Sequence, residues 1–298
     1  MRRLFTGVGT ALVTPFTASG ALDEPAVARL ARRQIDAGVH FLVPCGTTGE
    51  APTLSEAERR RVVDIVVEAA EDRVPVMAGV GGYDTAEVVR AAKEIEHAGV
   101  QGLLSVTPYY NKPTPEGLYQ HYAAIAAATS LPIVVYNVPG RTGCNVDVST
   151  LERLAAIPNI VGVKEASGNI TQMVEVCHAV PADFLVLSGD DALTLPLMAI
   201  GGCGVISVAA NEVPAEMAKL VEAAERGRYG EARQIHQRLV PLMLGNFMEA
   251  NPVPVKYAMA AMGLCDEVYR LPMVPPRPAS KDKIVALLKD LGLPVVRA

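Results

Sequence analysis

The sequence predicts an α/β fold, a (β/α)8 TIM barrel with a C-terminal helical extension. Short runs rich in Val, Ile and Leu alternate with segments of helical periodicity about eight times before residue 226. Such runs read as parallel strands buried on both faces, and eight units are what a closed barrel requires. From residue 226 onward the periodicity is helical alone. The expected division is a barrel over 1–225 and a helical extension over 226–298, with no low-complexity linker between them.

Each element has a local signature. The run from Val8 to Thr14 reads as a first strand stopped by Pro15, and Asp23-Glu24-Pro25 opens a helix with an N-cap and an early proline. A second strand over 39–43 ends in the loop Pro44-Cys45-Gly46-Thr47-Thr48-Gly49-Glu50. Ser55-Glu56-Ala57-Glu58 is a capping box for the helix that follows, to about residue 71. A strand over 74–78 leads into Gly79-Val80-Gly81-Gly82, and Asp84 or Thr85 caps a helix ending near Gly99. Strands over 102–106 and 131–136 pair with helices near 115–129 and 147–156. Ile160-Val161-Gly162-Val163-Lys164 is about the sixth strand, followed by a helix over 170–180. Strands over 184–188 and 204–208, with helices near 193–200 and 211–225, complete the barrel; helices near 229–248, 254–262 and 280–291 form the extension. An open doubly wound sheet is the structural alternative, but the glycines at 79–82 misfit the dinucleotide-binding fingerprint in spacing and lack a convincing acidic partner downstream.

Composition narrows the function classes. Half of the 298 residues are hydrophobic, yet no apolar run approaches the length of a membrane span. Leu4-Phe5-Thr6-Gly7 is too broken to be the apolar region of a signal peptide, so the expected location is cytoplasmic. Cys45, Cys144, Cys177, Cys203 and Cys265 are odd in number, scattered and without a C-x-x-C pair, which argues for reduced buried thiols rather than a disulfide framework or a zinc knuckle. A net charge of −5 leaves no electrostatic footprint for nucleic acid, and the one basic run, Arg59-Arg60-Arg61, falls on a helical pattern. His40, His97, His121, His178 and His236 share no motif. Asp190-Asp191 reads as a helix N-terminal cap rather than a metal pair, and no cofactor or metal is expected.

The chemistry gathers at one rim. Barrel sites lie at the carboxyl ends of the strands, and the loops there carry Thr47 and Thr48, Tyr109 and Tyr110, Tyr136 with Asn137 and Arg141, Lys164, Gly189-Asp190-Asp191 and Ser207. Lys164 ends its strand, where it either snorkels out to pair with Glu165 or solvent, or stays buried and acts as an amine. A neutral buried amine attacks ketones, and the resulting iminium is an electron sink that acidifies the neighbouring carbon. Tyrosine and threonine hydroxyls suit a proton relay; the loop at 46–49 and the planar fork of Arg141 suit carboxylates. Singly, each of these residues also fits an ordinary surface or capping role.

Five segments together resemble the dihydrodipicolinate synthase family of class I aldolases: Gly46-Thr47-Thr48-Gly49-Glu50, Val106 to Pro113, Tyr136-Asn137-Val138-Pro139-Gly140-Arg141-Thr142-Gly143, Gly162-Val163-Lys164-Glu165-Ala166, and Asn251 to Lys256. The resemblance covers essentially the whole chain. It implies a pyruvate imine on Lys164, a relay through Tyr136, Thr47 and Tyr110, and pyruvate carboxylate binding by Thr48 beside Thr47. It further implies that Arg141 holds the carboxylate of aspartate semialdehyde, that the backbones at Gly189 and Ile206 line the pocket, and that the product is 4-hydroxy-tetrahydrodipicolinate, on the route to diaminopimelate and lysine. In similar enzymes the tyrosine matching Tyr110 reaches in from a neighbouring subunit, which implies a dimer at least, commonly paired into a homotetramer. A 2-keto-3-deoxy acid or N-acetylneuraminate-type aldolase is the nearest alternative, since those relatives usually lack the arginine; a keto-acid sensor without turnover is the alternative of another class. Lysine-inhibited members place an asparagine at Tyr83 and histidines at Glu56 and Arg59, while Glu87 and Tyr109 are kept, so inhibition by lysine is expected to be weak or absent.

Overall fold

A computed structural model describes residues 4–296. The chain alternates as β1 (Gly7–Ala11), α1 (Glu24–Asp36), β2 (Phe41–Val43), α2 (Glu56–Ala70), β3 (Met77–Gly79), α3 (Thr85–Glu96), β4 (Gly102–Val106) and α4 (Pro115–Ala128). It continues as β5 (Ile133–Asn137), a single turn α5 (Pro139–Thr142), α6 (Val148–Ala155), β6 (Ile160–Glu165), α7 (Ile170–Ala179), β7 (Leu185–Ser188), α8 (Thr194–Ala199), β8 (Gly204–Ser207) and α9 (Pro214–Glu225). Three helices follow: α10 (Tyr229–Gly245), α11 (Val253–Ala261) and α12 (Pro278–Asp290).

The eight strands run in the order β2-β1-β8-β7-β6-β5-β4-β3, each parallel to its neighbours. A parallel bridge between Leu42 and Val76 joins the two ends of that order, with Leu42 N–H donating to the Pro75 carbonyl at 3.0 Å and Gly79 N–H to the Pro44 carbonyl at 3.0 Å. The sheet thus closes into the expected barrel and leaves no free edge.

Alternation along the strands sorts the core into two layers. Phe41, Met77, Leu104, Val134, Leu185 and Ile206 pack together inside the barrel, while Leu42, Ala78, Leu103, Val135, Val186 and Val205 face outward onto the helices. Several strands are shorter than expected, and for β1 and β3 the reason is local. β1 stops at Ala11 because Val13 N–H donates to the Asn211 side chain at 3.1 Å and the Thr14 hydroxyl donates to the Gly49 carbonyl at 2.7 Å, so side-chain contacts replace the ladder. β3 begins only at Met77: Pro75 has no N–H, and Val76 N–H turns to the Gln101 side chain at 2.8 Å. The capping box before α2 forms as expected from Ser55 and Glu58.

Helix α9 closes the eighth unit, and the extension packs as α10 against α9 and α12, with α11 against α12. Among the described residues, no helix is long and apolar enough to cross a membrane, and no group of three or more His, Cys, Asp or Glu could hold a metal.

Candidate active site

Strand β6 brings Lys164 to the carboxyl end of the barrel, where the ladder sets it opposite Tyr136 of β5 and Leu187 of β7. Its side chain does not snorkel out. Lys164 is 5% exposed, and its Nζ lies 4.1 Å from the centre of the Tyr136 ring, itself 6% exposed. Gly189 leaves the room this side chain needs: a Cβ at that position would stand 2.6 Å from the Ala166 Cβ and 3.1 Å from the Lys164 Cε.

Tyr136, rather than Lys164 itself, faces a cavity of about 250 Å3 that is also lined by Thr47, Val138 and Arg141, with Val106, Tyr109 and Gly79 among its other walls. Gly79 admits the loop that carries Thr47, since a Cβ there would lie 2.2 Å from the Cys45 carbonyl oxygen. That loop begins at Cys45 with φ +57° and ends at Glu50 with φ +53°, left-handed conformations that non-glycine residues adopt only when surroundings hold them. Glu50 is held by the ammonium of Lys256, and both side chains are almost wholly buried. Burial pushes the Lys256 amine down while Glu50 opposes the shift, and the ammonium also lies 4.1 Å from the centre of the Phe16 ring. Burial pushes the Cys45 thiol up to about 12, which leaves it an inert wall.

The two carboxylate-binding candidates are tied together by a residue of the extension. The Asn251 side-chain amide donates to the Thr48 hydroxyl at 3.0 Å, and Arg141 donates through Nη2 to the Asn251 carbonyl at 3.2 Å. Thr48 therefore accepts from Asn251 and keeps its own proton to donate. Ile206 lies in the inner barrel cluster with Tyr136 and Leu187. Tyr110 stands apart. Its ring is 90% exposed, its φ is +74°, and it takes no part in lining the cavity.

A larger cavity, about 540 Å3, backs onto the first and shares Cys45, Pro52, Arg59, Gly79, Val80, Gly81 and Tyr109 with it. It holds Glu56, Tyr83 and Glu87; Glu56 pairs with Arg90 at 2.9 Å, Arg59 Nε donates to the Leu54 carbonyl at 3.1 Å, and Tyr83 meets Tyr109 edge to face at 5.3 Å. Asp190 caps its turn through Ala192 N–H at 2.9 Å, but Asp191 departs from the expected cap: its carboxylate accepts from Val208 and Ala209 N–H at 3.0 and 2.9 Å, binding the loop after β8.

The dihydrodipicolinate synthetase family model matches residues 4–291. The chain belongs to this family. A curated relative from Koribacter versatilis, named 4-hydroxy-tetrahydrodipicolinate synthase, is 51% identical over 96% of each chain. Another of the same name, from Chlorobium limicola, is 52% identical over 98% of this chain and 99% of its own. A solved dihydrodipicolinate synthase from Aquifex aeolicus superposes with a TM-score of 0.96 at 41% identity, over 98% of this chain and 100% of that one. Sequence reasoning gave Asn251 and Lys256 no role, although both lie in a segment that carries the family resemblance. Their partners Thr48 and Glu50 lie 203 and 206 residues away, and no local pattern encodes such a contact.

Proposed function

We propose that the protein is a 4-hydroxy-tetrahydrodipicolinate synthase, a lyase that joins pyruvate to L-aspartate 4-semialdehyde through an imine on Lys164. The observation that carries this reading is the burial of Lys164 against Tyr136, whose side of the pair lines a cavity that also holds Thr47 and Arg141. The neutral amine of Lys164 attacks the ketone carbon of pyruvate, and the carbinolamine loses water to give the imine. Tyr136, Thr47 and Tyr110 pass the protons that these steps release and consume. Loss of a methyl proton gives an enamine, whose carbon attacks the aldehyde carbon of the second substrate. The amine of that substrate then displaces Lys164 at the former ketone carbon and closes the ring, so one water leaves per turnover.

In this reading the free proton of Thr48 meets the pyruvate carboxylate, Gly189 and Ile206 present backbone to pyruvate, and Arg141 grips the semialdehyde carboxylate with its planar fork. Tyr110, exposed and turned from its own cavity, completes the site of a neighbouring copy. The working form is then a homotetramer built as a dimer of dimers, in the cytoplasm. The test follows pyruvate consumption with aspartate semialdehyde and, in parallel, with a sugar aldehyde. Turnover with the semialdehyde, abolished by Lys164→Ala and severely reduced by Arg141→Ala, supports the reading; preference for the sugar aldehyde, or no turnover with either, overturns it.

A further inference from the structure

Behind the Lys164 and Tyr136 pair lies a buried polar network that the mechanism does not use. The next residues along the two strands, Asn137 and Glu165, are also ladder partners, and they are 0% and 1% exposed. The Asn137 amide donates to the Glu165 carboxylate at 3.0 Å and to the Asn145 side-chain oxygen at 2.8 Å, while its own oxygen accepts from Val146 N–H at 3.0 Å. All the polar capacity of this amide but one lone pair is spent on three partners. Glu165 also accepts from Ser167 N–H at 2.7 Å and from Gln172 Nε2 at 3.2 Å, and Gln172 in turn pairs with Asn145, accepting at 2.8 Å and donating at 3.2 Å.

The topology of these bonds is specific. The chain leaves the barrel at Asn137, runs through α5 with Arg141, and returns at Asn145 and Val146. The side chain of Asn137 therefore bonds both to the returning end of its own loop and to β6, the strand of Lys164. The strands do not depend on it for pairing, since Ala166 N–H donates to the Asn137 carbonyl at 2.9 Å.

We infer that Asn137 and Glu165 form a clasp that fixes the Arg141 loop relative to Lys164, and so sets the span between the imine and the carboxylate of the aldehyde substrate. They are positioning residues, acting through Arg141. The inference rests on the proposed role of Arg141. Because the backbone ladder survives without the clasp, loosening it moves the arginine and leaves imine formation in place.

The experiment compares the full-length enzyme with Asn137→Ala, Glu165→Gln and Arg141→Ala. Losing a buried hydrogen bond to a charged group is expected to raise KM for aspartate semialdehyde about tenfold or more in Asn137→Ala, and by a smaller factor in Glu165→Gln. KM for pyruvate and the extent of borohydride-trapped pyruvate imine are expected to stay within about twofold of the parent, since the backbone pairing that seats Lys164 beside Tyr136 does not run through the clasp side chains. The double variant Asn137→Asp with Glu165→Gln reverses the polarity of one bond and is expected to recover part of the semialdehyde KM lost by Asn137→Asp alone. A KM for the semialdehyde unchanged in both clasp variants, while Arg141→Ala raises it, overturns the clasp. Equal increases in both KM values overturn it too, as the mark of a general packing role. If Arg141→Ala itself leaves the semialdehyde KM unchanged, the underlying reading of Arg141 fails instead.

Discussion

Lys256 and Glu50 form an ion pair with side chains 0% and 2% exposed, joining the C-terminal extension to the loop that carries Thr47 and Thr48. Removing Lys256 leaves the Glu50 charge buried with the long 3.5 Å bond from Arg270 N–H in place of its ion pair. Lys256→Met is therefore expected to cost about 3–5 kcal/mol, and Glu50→Gln together with Lys256→Met to recover much of the loss. Urea unfolding of the parent, the single and the double variant checks this, and a single-variant loss below about 1 kcal/mol would count against it.

Glu212 gives the stability a pH dependence between the ordinary carboxylate range and about pH 8. Burial pushes its carboxyl up to about 8, with Asp191 adding to the shift and the Asn246 hydrogen bond and Arg33 opposing it. A raised folded-state value means that the folded protein holds this proton more tightly than the unfolded chain. The contribution is complete below the ordinary carboxylate range and is lost as pH rises from there through about 8. Glu212→Gln keeps an acceptor for Asn246 and is expected to flatten the stability profile over that window; a parent profile that is already flat there would refute the argument.

Tyr110 tests assembly. Tyr110→Phe and Lys164→Ala are each expected to be nearly inactive alone. Mixed and allowed to exchange subunits, they are expected to regain part of the activity, because a hybrid contains one site with both Lys164 and a partner tyrosine. No recovery, in a mixture shown by native mass spectrometry to have exchanged, would place Tyr110 outside the neighbouring site.

Lysine is expected to inhibit weakly or not at all. The larger cavity presents Glu56 already paired with Arg90, Arg59 bonded to the Leu54 carbonyl, and a phenol at Tyr83. A lysine zwitterion entering there must displace these contacts. Titrating lysine into the assay settles the point, and strong inhibition at sub-millimolar concentration would contradict it.

The barrel was legible in the sequence because each β/α unit announces itself locally. Buried parallel strands are nearly uniform apolar runs, and Asp23, Ser55, Asp84 and Asp147 all cap helices where such residues stand before a periodic segment. The single turn α5 escaped because four residues with Pro139 and Gly140 carry no periodicity. Arg141 could be named from its motif, and its position could not, since its contact with Asn251 and the bonds at the base of its loop depend on distant segments. The same holds for Asp191: a carboxylate before a helix reads as a cap, and only the closed barrel brings the amides after β8 within its reach.

The loop between Asn137 and Asn145 is closed at its base by side-chain bonds. A segment anchored in this way behaves as an exchangeable part. Its interior could be lengthened, shortened or recoded by descent or by grafting while Asn137 kept its grip on the sixth strand and Asn145 its bonds to Asn137 and Gln172. Divergence in the choice of aldehyde is then decoupled from the imine chemistry beneath it, and one scaffold can change its second substrate without having to relearn the first.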